Sequence, residues 1–94
     1  MESTMTKYQN WIQETAKNLV DSPDAVKTNT IKGNQTDVIE LHVAPGDIGK
    51  VIGRQGKLAQ AMRTLVKSMA TKDGARVILE IVDLQKKKED YKKE

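Results

Sequence analysis

The sequence predicts one α+β domain of two layers, and three observations carry that expectation. The chain has 94 residues, 37% of them apolar, which is enough for one modest core in a thin fold and too little for two domains. Hydrophobic spacing switches along the chain between a helical period near 3.6 and a strand period of 2. The switches come in the order helix, strand, strand, helix, helix, strand, with no internal repeat.

Each element has its own local reason. Tyr8, Trp11, Ile12, Thr15, Ala16, Leu19 and Val20 share one helical face. Thr6 and Gln9 match a capping box at the helix start, and Asp21-Ser22-Pro23 ends it. From Ala25 to Lys32 the β-branched Val26, Thr28, Thr30 and Ile31 favour a strand, and Gly33-Asn34 supplies a turn. Ile39, Leu41 and Val43 then alternate with Val38, Glu40 and His42, as in a hairpin with one buried face.

After Ala44-Pro45-Gly46 the period changes. Ile48, Val51 and Ile52 fit a short helical stripe, which Gly53-Arg54-Gln55-Gly56 interrupts. A longer helix follows, with Leu58, Ala61, Met62, Leu65, Val66 and Met69 expected on its apolar side and Lys57, Gln60, Arg63 and Lys67 on another. Asp73-Gly74 closes it, since glycine accepts a left-handed cap. Val77, Leu79 and Ile81 alternate with Arg76, Ile78, Glu80 and Val82 as a last strand. The domain is thus expected over residues 7–83, with an extension at 1–6 and a charged, flexible tail at 84–94 that has no apolar face to bury.

Composition narrows the function. There is no cysteine, which excludes a disulfide framework, a thiolate nucleophile and any cysteine-based zinc site. The longest apolar run is three residues, Val77-Ile78-Leu79, far short of a signal peptide or a membrane span, and a cytoplasmic protein with no membrane association is expected. The net charge of +3 is unevenly spread: residues 1–46 carry −2, residues 47–74 carry +4 and residues 75–94 carry +1. A basic stretch inside a balanced chain points to an anionic partner at one site, with nucleic acid the leading candidate.

That stretch holds the motif. Gly53 and Gly56 bracket Arg54 and Gln55 between a short and a long helix. Glycine permits backbone angles closed to other residues, and its bare Cα lets a phosphate approach the main chain. Amides at the start of the following helix point at that phosphate and the helix dipole adds partial positive charge. Arg54 and Lys57 contribute full charges, Lys50 and Arg63 flank the groove, and Ile48, Val51 and Ile52 are expected to line it where bases lie. His42, the only histidine, has neither nucleophile nor orienting partner nearby in sequence, so no catalytic role, cofactor or metal is expected. The stacking aromatics of other RNA-binding folds are missing from the motif.

The motif and element order resemble the KH domain, an RNA-binding module whose Gly-x-x-Gly loop joins two helices and clamps about four nucleotides. The order is similar to the type II form of that fold. Residues 7–83 look like the small single-KH proteins of bacteria, the KhpA family, in the stretches Leu19-Val20-Asp21, Ile39-Glu40-Leu41, Val43-Ala44-Pro45 and Leu79-Glu80-Ile81-Val82-Asp83. One departure is Ala59, where KH domains often carry a large aliphatic. The resemblance implies a three-stranded sheet with helices on one face and single-stranded RNA beside the loop. It also implies pairing with a second copy or with a larger KH-containing partner, and a role as RNA chaperone or post-transcriptional regulator. The alternative reading is a protein-interaction or dimerisation module with incidental RNA contact, for which Val38, Ile78 and Val82 on the outer sheet face would be the surface.

Overall fold

The computed structural model describes residues 4–83; the charged tail expected at 84–94 lies outside them. Helix α1 (Thr4–Lys17) leads into a short 3₁₀ turn and strand β1 (Lys27–Ile31), which turns back into β2 (Asp37–His42). Helix α2 (Ile48–Ile52), the glycine loop and α3 (Lys57–Lys72) then carry the chain over to β3 (Val77–Ile81). The sheet order is β1-β2-β3. β1 runs antiparallel to β2, and β3 runs parallel to it. A parallel pair needs a long crossover, and here α2, the loop and α3 are that crossover.

The sheet's alternation places Ile39 and Leu41 of β2 beside Leu79 and Ile81 of β3 on the inner face, all buried. Three helices cover that face. Tyr8, Ile12 and Ala16 of α1 and Met62, Val66 and Ala70 of α3 complete one continuous core, with Val51 of α2 beneath the loop. No helix among the described residues covers the outer face, and Ile31, Val38 and Ile78 form one row across the three strands, with Ile31 48% and Ile78 51% exposed. Val82, expected among these, is instead buried at 7% exposure.

Two local expectations are corrected. Helix α1 already includes Thr4, so Thr6 sits within the helix and not at its cap. No glycine or proline breaks the chain there. At the other end α1 stops at Lys17, and Leu19 and Val20 reach the core from the turn beyond, their amides donating to the Ala16 carbonyl at 2.9 and 3.2 Å. On α3 the buried stripe is Ala59, Met62, Val66 and Ala70, while Ala61 and Leu65 face solvent. The small Ala59 and Ala70 let the helix lie close on the sheet, so the inward face is rotated from the one that the largest side chains suggest.

Helix α3 ends as the sequence requires. Gly74 has φ 71°, its amide donates to the Thr71 carbonyl at 3.1 Å, and the Ala75 amide donates to the Ala70 carbonyl at 2.8 Å. This paired arrangement satisfies carbonyls that the helix end would otherwise leave open.

Candidate nucleic-acid interface

Three of the four loop residues have positive φ: Gly53 at 79°, Gln55 at 58° and Gly56 at 74°. At Gly53 (ψ 175°) a Cβ would also meet the Leu58 Cβ at 2.5 Å, so both backbone and space demand glycine. Gly56 faces open space, with nothing within 4 Å of where a Cβ would stand. Gln55 holds a left-handed conformation without being glycine, which costs about 1 kcal/mol or more.

Two of the loop amides are spent inside the fold. The Gly53 amide donates to the Gly49 carbonyl at 2.9 Å, and the Gly56 amide to the Gly53 carbonyl at 3.2 Å. Arg54 and Gln55, between the two glycines, are both exposed. Arg54 is helical and Gln55 left-handed, the alternation that turns successive N–H groups toward one point and makes an anion-binding concavity. The loop therefore uses the Gly53 and Gly56 amides internally and presents the Arg54–Gln55 turn to solvent.

The side chains around it play unequal parts. Arg54 and Lys57 are exposed, with no acidic partner among the described residues. Lys50, expected to flank the groove, is tied to Asp21 (3.4 Å) and to the buried Asp47 (3.8 Å), which offsets its charge. Asp47 also accepts a hydrogen bond from the Ser22 amide at 3.0 Å, so this cluster fastens the start of α2 to the turn after α1. Val51 is fully buried and has no surface to offer a base. It anchors the loop from below, and Ile48 and Ile52 remain half-buried at the surface.

Farther along α3 a trench of about 670 Å³ runs between the helix and the free edge of β3, lined by Arg63, Lys67 and Thr71 on one wall and by residues 74–79 on the other. The register explains its chemistry. The Asp37 amide donates to the Arg76 carbonyl and the Val82 amide to the Leu41 carbonyl, both at 3.0 Å. Even-numbered residues of β3 thus pair with β2, and the N–H and C=O groups of Val77, Leu79 and Ile81 face the open edge. Arg63 Nε donates to the Leu79 carbonyl at 3.3 Å, which holds its guanidinium across the trench. Arg63 begins this trench about 9 Å along the helix axis from Lys57. The β3 edge is a feature that sequence reasoning missed, because edge position follows from strand order and no residue type announces it.

This geometry has counterparts among known proteins. The family model for the KH domain of KhpA and KhpB matches residues 9–81. A protein named RNA-binding protein KhpA from Caldanaerobacter subterraneus subsp. tengcongensis is 59% identical over 71 residues, which cover 76% of this chain and 95% of that one. Proteins of the same name from Clostridium acetobutylicum (48% over 71 residues, 76% of this chain and 95% of that one) and Aquifex aeolicus (46% over 79 residues, 84% and 100%) are also similar. The element order, the mixed sheet, the glycine loop between two helices and these matches agree: the chain belongs to the KhpA/KhpB family of KH domains.

Proposed function

We propose that this chain is a non-catalytic module that binds single-stranded RNA, with the loop holding the phosphate backbone and the trench beside β3 receiving bases. The observation that carries the reading is the exposed Arg54–Gln55 pair, whose helical and left-handed backbone makes an anion-binding turn. Arg54 and Lys57 add charge there, Gly56 leaves the approach clear, and Ile48 and Ile52 offer apolar contact. The edge groups of β3, apart from the Leu79 carbonyl that Arg63 takes, suit the hydrogen-bonding edges of unstacked bases. The names of the relatives support the same ligand class. Domain limits at residues 7–83 and a role as RNA chaperone or regulator go with this reading.

The test is a double variant, Arg54→Asp with Gln55→Asp, titrated with single-stranded RNA by fluorescence anisotropy while circular dichroism monitors folding. A folded variant with affinity reduced at least tenfold is expected. Unchanged affinity would remove the loop from the site.

A site this small gains from a second module held nearby, through effective concentration. Leu65 is 50% exposed on α3, and with exposed Ala61 and half-buried Leu58 and Met69 it forms an apolar stripe along the helix. A stripe at this spacing is the kind of surface on which another helix packs. We therefore propose pairing through α3, with a second copy or with a larger KH-containing protein. Sedimentation of the protein should show a dimer that Leu65→Lys dissociates. A monomer at all concentrations would remove self-pairing.

A further inference from the structure

The trench does not end with β3. At the start of that strand it opens into a second hollow of about 610 Å³, walled by Lys32, Gly33, Asn34 and Gln35 of the β1–β2 turn and by Gly74, Ala75 and Arg76. Arg76 belongs to both hollows and stands at their junction. Four cations line the combined path, Arg63, Lys67, Arg76 and Lys32, against one carboxylate, Asp37.

The neighbouring acids are engaged, Asp73 away from the path and Asp37 with Lys32 inside it. Asp73, next to the junction in sequence, accepts hydrogen bonds from Lys7 and Tyr8 of α1, each at 2.6 Å. Asp37 accepts from the Gly33 amide at 3.1 Å and lies 4.0 Å from Lys32 Nζ. Among the described residues neither Lys67 nor Arg76 has an ion-pair partner. The C-terminus of α3 points its negative end this way, but its carbonyls at Met69, Ala70 and Thr71 are capped by the amides of residues 73–75. The potential there is set by the cations.

We propose that Arg76, flanked by Lys67 and by the Lys32–Asp37 pair, forms a second phosphate subsite for the same RNA strand, past the far end of α3, a helix about 24 Å long. The strand would leave the loop, follow the β3 edge and cross the β1–β2 turn, giving a footprint longer than the four nucleotides of the loop clamp. The inference rests on the RNA-binding reading above and adds the far contact to it.

Oligouridylates of 4, 6, 8 and 10 nucleotides, titrated by anisotropy, separate the two. The unaltered protein should bind longer strands more tightly than added register positions explain, with a steeper salt dependence. Arg76→Ala should lose about fivefold more affinity for the 8-mer than for the 4-mer at 0.1 M salt, and lower the salt slope of the 8-mer by about 0.7, the change for one phosphate on a single strand. Lys67→Ala and Lys32→Ala should act in the same direction, and their thermal unfolding should match the unaltered chain. Equal affinities for Arg76→Ala and the unaltered protein at every length would overturn the subsite while leaving the loop reading intact. Equal losses on 4-mer and 8-mer would also overturn it, since a contact that only the longer strand reaches must weaken that strand more. Failure of the unaltered protein to bind any length would overturn both.

Discussion

At Gly53 the chain has no alternative residue, and at Gly56 it has some. A methyl group at 53 must shift the Leu58 backbone and adopt a conformation open essentially to glycine alone, so Gly53→Ala should cost about 3 kcal/mol. At Gly56 only the left-handed strain applies, about 1 kcal/mol. Urea unfolding of the two variants should show that order, and equal losses would contradict the loop geometry. The glycine pair was legible in the sequence because glycine marks such turns. Gln55 was not, since an unbranched polar side chain carries no sign of a left-handed backbone. Lys50 misled for a similar reason: its charge is visible in the sequence, but Asp21, which offsets it together with Asp47, is distant in the chain.

Between elements, a clasp fixes α1 to the end of α3. Lys7 Nζ and the Tyr8 hydroxyl both donate to Asp73 Oδ2 at 2.6 Å. These two donors hold the Asp73 carboxyl below its ordinary value of 3.8. Burial, with the Asp73 contact adding, pushes the Tyr8 phenol from 10.0 up to about 12. The signs are opposite. The carboxylate's contribution is present above its unfolded value and is lost as pH falls through the lower, folded one; the phenol's is complete below pH 10 and is lost as pH rises toward 12. Melting temperature followed against pH should therefore fall on both flanks. Asp73→Asn should flatten the acid flank, and Tyr8→Phe should remove its share of the alkaline one. Periodicity revealed every helix and strand here. It mis-set the inward face of α3, because the hydrophobic pattern weights Leu65 heavily, while close approach to the sheet selects Ala59 and Ala70.

At the scale of the molecule, charge and shape act together. The sequence exposed the basic middle third, and the fold spreads it from the loop along one wall of the trench. If the loop alone neutralises about three phosphates, affinity for a short strand should fall about twentyfold between 50 and 200 mM salt. A salt-independent affinity would mean that the strand is held by something other than its backbone. The outer face, with its row of Ile31, Val38 and Ile78, could be foreseen from alternation, whereas the trench could not, because it needs the parallel neighbour relation of β2 and β3.

That neighbour relation has a temporal side. Residues 48–72 lie between two strands that touch only after both exist, so loop closure precedes the reward of pairing. During vector-wise synthesis Ile39, Leu41 and Val51 would stay uncovered until residue 81 leaves the ribosome. The grip on an RNA strand would then be assembled last, and a nascent chain stalled before Val77 would be silent toward its ligand.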